Sequence, residues 1–495
     1  MVRRSNFLFK RKDKFTARIN FVLLTLFSKF RARKIILAIS MYKSLKKAVK
    51  IYHRSKYLLL AGLLTFSIAL VNAHPIQSQT SSEAIVQPKE EIVDLEQFSK
   101  MISRLEEKWE RDYEGYFSRN FSSSSRSAIA ISQRLAEVSQ QAGIKPAVIW
   151  AVPKDDFLQL MLITPGEQFV TKKVWGGNKQ RLTLRIGELI AAIDDRQSLK
   201  YLPPARIIYQ WMFEPLEPYL EAEGIDTLLL CTGPNLRSLP FAALHDGEKF
   251  VMEKYNLARI PAFSLTDTSY KAIPERQVLA MGTSEFENMS PLPGVDVELN
   301  TIVPTIWSGV VIDGQDFTVE NLEKAHQQGF DTIHLATHSG FYPGSPENSF
   351  IQFSDRKLNL ADLADLDLEI PEVDLLVLSG CNTALGNKDA EFGFAGLAMQ
   401  AKVKSAVASL WGVHDAGTVV LMSTFYEQLK STPIKSQALR EAQMSMLNQE
   451  VSIEGTKVKG LGVDVDLPAD SFDTEVKKFT HPYYWAGFTL IGNPW

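Results

Sequence analysis

Five runs in this chain consist almost wholly of apolar residues: Thr227-Leu-Leu-Leu-Cys231, Val278-Leu-Ala-Met281, Thr332-Ile-His-Leu-Ala336, Leu375-Leu-Val-Leu378 and Ala406-Val-Ala-Ser-Leu410. A strand with one face in water alternates apolar and polar residues, because successive side chains point to opposite faces. A run without alternation is a strand buried on both faces, as in a parallel sheet covered by helices. Parallel neighbours need long crossovers, and the segments between the runs are long enough to supply them; Glu391–Ala401 and Asp415–Leu429 read as such helices. Upstream, Ala147–Val152 and Phe157–Ile163 read as further strands, and Arg185–Ile193 and Ala205–Ala222 as helices. The expected fold is α/β, an open, mostly parallel sheet sandwiched by helices.

The amino-terminal part is different in kind. From Met1 to Lys56 the chain is dense in Lys and Arg, with Asp13 as its one acidic residue, and it runs into the uncharged apolar stretch Tyr57–Val71. A basic flank, a short apolar run and the small-x-Ala pattern Val71-Asn72-Ala73 describe residues 1–73 as a basic leader with a secretory signal. The run is short for a membrane span but would serve as an anchor if uncleaved. A conventional signal would begin at Met41, so residues 1–40 read as an over-called upstream start. The expected location is therefore exported (periplasmic or extracellular), or membrane-anchored through residues 57–73 with the basic flank in the cytoplasm. Residues 74–95, rich in Ser, Gln and Glu, read as a linker. Residues 96–144 read as a helical segment, with Phe98, Ile102 and Leu105, then Ile129, Ile131 and Leu135, on either side of the Ser-rich break Ser122–Ser125. No second copy of this unit follows, so the pattern is not that of a repeat array. Residues 145–495 are assigned to the α/β domain.

Composition excludes several classes. The formal net charge is -3, and nothing in that overall balance points to nucleic-acid binding; the basic stretch 1–56 is read as a leader. Cys231 and Cys381 are the only two cysteines, too few for a disulfide scaffold, and no Cys/His cluster has zinc spacing. No metal site is expected.

In a parallel α/β sheet, chemistry sits beyond the carboxyl ends of the strands. Two ends carry reactive side chains: Thr332–Ala336 runs into Thr337-His338-Ser339-Gly340, and Leu375–Leu378 into Ser379-Gly380-Cys381-Asn382. A cysteine on a tight turn attacks as its thiolate and needs a partner that lowers its pKa. A histidine on the neighbouring strand end is such a partner, and it can later protonate a leaving amine. Backbone N–H groups near Gly340 and at Gly380-Cys381 could receive an oxyanion. Position alone leaves open that Cys381 is a buried structural cysteine and His338 unrelated to it. Asp415 reads as the cap of the helix that begins near Ala416. His334 reads as facing the sheet–helix core, Cys231 as core, and His245 and His414 as loop residues. The segment Gln449–Lys478, with Asp464, Asp466 and Asp470, reads as a solvated surface loop rather than a calcium site.

The stretches Ile333-His-Leu-Ala-Thr-His338 and Leu375-Leu-Val-Leu-Ser-Gly-Cys-Asn-Thr-Ala-Leu-Gly386 resemble the two motifs of CHAT domains, relatives of caspases and separase found in cyanobacteria and other bacteria. Leu239-Pro-Phe-Ala-Ala-Leu244, Leu292-Pro-Gly294 with Glu298, Gly393-Phe-Ala-Gly-Leu-Ala398, Ser409-Leu-Trp411 and His481-Pro-Tyr-Tyr-Trp-Ala-Gly-Phe488 agree in order, so the resemblance spans roughly residues 225–495. It implies a caspase-like fold and a cysteine endopeptidase acting on a protein or peptide substrate, with His338 as base, Cys381 as nucleophile and no metal or organic cofactor. It also implies a second role for Asp415, as an S1 carboxylate favouring Arg or Lys at P1 through charge-assisted hydrogen bonds. Two departures favour the alternative of a non-catalytic interaction or signalling scaffold. Ser339 stands where such peptidases carry glycine after the histidine, and only a short helical stretch precedes the domain in place of tandem helical repeats.

Overall fold

The five apolar runs are all strands of one mixed, mostly parallel sheet, in a computed structural model that describes residues 89–90, 94–124, 126–272, 275–383, 387–467 and 478–495. These residues fall within a unit spanning Glu83–Trp495. The leader 1–73, most of the linker 74–95 and Asp470 lie outside the described residues.

The chain enters through β1 (Lys89–Glu90) and a helical hairpin, α1 (Leu95–Phe117) and α2 (Ala128–Ala142). Each helix starts on a side-chain cap. Asp94 accepts the Gln97 N–H and Ser127 the Ala130 N–H, satisfying amides that have no partner within the helix. Then follow β2 (Pro146–Pro153), β3 (Leu158–Ile163), β4 (Phe169–Val174), α3 (Lys179–Ile193), α4 (Leu202–Met212), α5 (Glu217–Glu223), β5 (Thr227–Thr232), α6 (Val251–Lys254) and β6 (Asn256–Ile260). The hairpin buries Phe98, Ile102, Trp109, Ile131 and Leu135 against Val148, Trp150, Met161 and Leu229 of the sheet. One buried acid ties it down: Glu106 accepts the Trp150 indole N–H at 2.6 Å and the Ser264 amide at 2.8 Å. The expected helix Ala205–Ala222 is two helices, α4 and α5; Pro218 opens α5 at a position where its missing N–H costs nothing.

The second half runs β7 (Val278–Gly282), α7 (Val295–Asn300), β8 (Gly309–Asp313), α8 (Val319–His326), β9 (Thr332–Phe341), β10 (Phe350–Gln352), β11 (Lys357–Asn359), β12 (Leu375–Thr383), α9 (Lys388–Ala395), α10 (Leu397–Gln400), β13 (Ser405–Ser409), α11 (Asp415–Ser431), α12 (Lys435–Leu447), β14 (Ser452–Glu454), β15 (Lys457–Lys459), β16 (Val465–Asp466) and β17 (Phe488–Gly492). The helix expected over Glu391–Ala401 breaks at Gly396, where a Cβ would lie 2.7 Å from the Phe117 ring. The segment Gln449–Lys478, expected as a solvated loop, contains a small antiparallel sheet, β14-β15-β16. Its Ile453, Val458 and Val465 are buried in the main core, which is why these residues are not solvated.

The main sheet has the order β1-β4-β3-β2-β5-β6-β17-β13-β12-β9-β10-β11, with β7 and β8 continuing from the first half of β9. Strands β8, β7, β9, β12 and β13 are parallel to one another. Burial on both faces is literal. Val278, Ala280, Val377 and Val407 enter one core layer with Leu299 and Val419, while Leu279, Met281, Leu376 and Leu378 enter the other with Leu322 and Phe394. The two halves meet where β17 lies parallel to β6 and antiparallel to β13. At the amino ends of β7 and β12, buried Asp374 takes Arg276 at 2.8 Å and Lys435 at 2.7 Å. Burial pushes the Lys435 amine down to about 8, against the pull of Asp374.

Candidate functional site

The opposite, carboxyl end of the sheet holds the residues singled out by sequence. Strands β9 and β12 are parallel neighbours, spaced about 4.8 Å apart as hydrogen-bonded strands are. Their register sets Gly380 against His338, Cys381 against Ser339 and Asn382 against Gly340. The pairing shifts between Leu378 and Gly380, leaving one extra residue on β9 just before His338, an irregularity that re-aims the side chains at a strand end. Gly380 is required by this approach: a Cβ there would collide with the Thr337 carbonyl oxygen. Gly340 answers a different need. The Tyr342 ring folds back over it and stacks at 5.9 Å on Phe350, which in turn carries the Lys357 ammonium 4.0 Å from its centroid.

His338 is partly buried, with its ring tilted against Phe286 at 4.7 Å. Its Nε2 lies 2.8 Å from the Ser290 carbonyl oxygen. A carbonyl can only accept, so Nε2 carries the proton and Nδ1 is the nitrogen left to take one in the neutral ring. Ser290 and Phe286 sit on the loop between β7 and α7, and this loop holds the imidazole through both contacts.

Asp415 is brought to the same loop. It is the first residue of α11 and not its cap: His414 takes that place, its Nδ1 accepting the Gly417 N–H. The Asp415 carboxylate instead accepts the Gly294 N–H through Oδ2 at 2.7 Å. Burial, helped by the nearby Glu298 charge and opposed by the Gly294 hydrogen bond, raises its pKa to about 6. The consequence for stability has a definite sign. Between the ordinary carboxylate value and about 6, the folded protein holds a proton that the unfolded chain has lost, so this group's contribution falls as pH rises through that window. Asp415→Asn keeps an acceptor for Gly294 without the charge. It is expected to melt above the wild type at pH 7 and with it at about pH 4, below the raised value; equal melting temperatures at both pH values would contradict this.

The remaining candidates fall where their burial puts them. His334 is fully buried, with Nδ1 3.1 Å from the Tyr426 hydroxyl and Nε2 3.0 Å from Glu298, as a core histidine. Cys231 is a free, fully buried thiol, pushed well above the ordinary range by burial and by Glu106, and so is unreactive. His245 accepts the Gly247 N–H in a turn. Among the described residues no group of three or more His, Cys, Asp or Glu is placed to hold a metal ion, and no helix is long and apolar enough to cross a membrane.

Residues 202–493 match the CHAT domain family. The chain belongs to that family. Solved structures similar to this CHAT protein include separase from Saccharomyces cerevisiae in its complex with securin, in two determinations. One is at 9% identity and TM-score 0.40, covering 74% of this chain and 32% of that chain. The other is at 9% identity and TM-score 0.45, covering 74% and 31%. The pro- and mature-domain complex of RgpB from Porphyromonas gingivalis is similar at 12% identity and TM-score 0.36, covering 61% of this chain and 71% of that one. The CHAT chain thus spans about a third of the separase chain it matches. No curated protein matches it.

Sequence reasoning missed two members of this candidate site. The Ser290 carbonyl has no side-chain signature and could not be found from residue types. Gly294 stood in the quoted Leu292-Pro-Gly294 block, and its use is now visible: a Cβ there would lie 2.8 Å from Asp415 Oδ1 and 2.9 Å from Val419.

Proposed function

We propose that this protein is a cysteine endopeptidase in which His338 is the general base, Cys381 the nucleophile and Asp415 the acid that favours Arg or Lys at P1. The observation that carries the reading is the hydrogen bond from His338 Nε2 to the Ser290 carbonyl. It fixes the tautomer whose Nδ1 accepts a proton, on a strand paired with the strand of Cys381. The Cys381 thiol gives its proton to His338 and the thiolate attacks the scissile carbonyl. Backbone N–H groups near Gly340 and at Cys381 receive the oxyanion. The protonated imidazole then donates to the leaving amine, and water hydrolyses the thioester.

The P1 preference is supported by charge. Asp415 is only partly buried, and among the described residues no cation is paired with it. A guanidinium or ammonium arriving there would offset the cost that raises its pKa. The test is cleavage by the full chain of Arg- and Lys-ending fluorogenic peptides beside a general peptide library, with Cys381→Ala as control. Cleavage after Arg or Lys that disappears in the control is the expected result. No cleavage, together with equally slow alkylation of Cys381 and Cys231, would favour the non-catalytic scaffold. Export, read from residues 57–73, is a separate proposal, checked by whether the mature protein begins at or after His74.

A further inference from the structure

The loop between β7 and α7 is fastened at two points four residues apart. At Ser290 its carbonyl accepts the Nε2–H of His338, 2.8 Å away. At Gly294 its amide donates to Asp415 Oδ2, 2.7 Å away. The chain between the two points is Pro291-Leu292-Pro293, and two prolines fix two of the intervening φ angles. The Leu292 amide donates back to Ser284 O at 2.9 Å, and the Val295 amide to Leu292 O at 3.1 Å. Such a segment moves as one piece, so displacing it at Gly294 displaces the Ser290 carbonyl. Its anchor is firm, because Asp415 opens α11, whose next residues Ala416, Val419 and Val420 are buried in the core.

We infer that Asp415 is a positioning residue for His338: through the Ser290–Gly294 loop, its carboxylate sets the carbonyl that fixes the imidazole tautomer. The inference rests on the reading of His338 as base, and it couples that base to the proposed pocket at Asp415. A basic side chain drawn to Asp415 engages the carboxylate that also anchors the loop, so filling the pocket bears directly on the orientation of the base.

Selective 15N-histidine NMR of the full chain reads the tautomer without turnover, at about pH 8 where an ordinary imidazole is neutral. The His338 signals are assigned by their loss in His338→Gln. Wild type and Asp415→Asn are expected to show one Nε2–H tautomer, because asparagine still offers Gly294 an acceptor. Asp415→Ala, and Gly294→Ala with its crowding methyl, are expected to show averaging of both tautomers. Alkylation of Cys381 is expected to be on the order of tenfold slower in Asp415→Ala than in Asp415→Asn, because thiolate formation depends on the base. A single Nε2–H tautomer in both alanine variants would overturn the inference; should Asp415→Ala fail to fold, Gly294→Ala decides alone. Retained Arg/Lys preference in Asp415→Asn would remove the pocket role and leave the positioning role intact. A wild type that cleaves nothing counts against the peptidase reading, while the NMR result still decides this one.

Discussion

Cys381→Ala should lower peptide cleavage by at least about 10³-fold, and His338→Ala by a comparable factor, because a nucleophile and its base act as one unit. The double variant should be no worse than Cys381→Ala alone. Without the imidazole the thiol stays protonated, and without the thiol the imidazole has nothing to activate. The comparison requires kcat/KM for all three variants, with thermal melting to show that each still folds. Losses that multiply in the double variant would mean that the two residues act independently, and the dyad would be wrong. The protein carries an internal control in Cys231, which is fully buried and pushed well above the ordinary thiol range. At neutral pH, alkylation in the native state should therefore report Cys381 alone.

The largest loss of stability is expected far from that site. Asp374→Ala would leave the Arg276 and Lys435 side chains, 2% and 0% exposed, buried without a counter-charge. Breaking one partner of a buried ion cluster costs about 3–5 kcal/mol, because the remaining charges cannot recover their hydration. Lys435 gives the effect a pH signature. Its folded value, about 8, lies below the ordinary 10.5, so the folded state holds fewer protons between the two and this group's contribution rises with pH across that window. Without Asp374 the folded value falls further, and the gain begins at lower pH. The deficit of the variant should therefore narrow between about pH 6 and pH 9, as the uncompensated amine sheds its proton. Denaturant unfolding at the two pH values checks this, and a loss below about 1 kcal/mol at the lower one would refute the cluster's importance.

The parts of the fold legible in the sequence were those where burial alone dictates residue type. The runs Val278–Met281, Thr332–Ala336 and Leu375–Leu378 are buried on both faces, and they read as strands without further information. β8 was not read as a strand because its apolar run, Val310-Val-Ile312, is only three residues long, on an edge strand that is not buried. β6 was hidden by Arg259, a charge in the middle of a sheet. Its guanidinium is buried, donating to Leu236 O at 3.1 Å and Leu239 O at 2.9 Å, and those acceptors come from a loop some twenty residues away in sequence. The site divides in the same way. His338 and Cys381 could be proposed because they follow strand ends and fall in the two stretches that resemble CHAT motifs, whereas the Ser290 carbonyl is a backbone atom that any residue would supply. The capping of α11 was misplaced by one residue, because His414 and Asp415 both carry acceptors and only tertiary contact with Gly294 decides between them.

The CHAT match begins at residue 202, the first residue of α4, yet the sheet of the matched region does not end there. β5 is paired with β2 in six parallel steps, from Pro146 against Thr227 to Ala151 against Thr232, and β2 is followed by β3 and β4. A fragment trimmed to the family boundary would strip those three strands away and bare the whole length of β5, a straight apolar edge of unpaired amides and carbonyls. Such an edge is adhesive to any other strand, including another copy of itself. Recombinant work on this protein therefore calls for a fragment that starts ahead of α1, whose Phe98, Ile102 and Trp109 are buried against β2 and β3. Insoluble material from shorter pieces would reflect a severed sheet, with no bearing on the integrity of the carboxyl-terminal half.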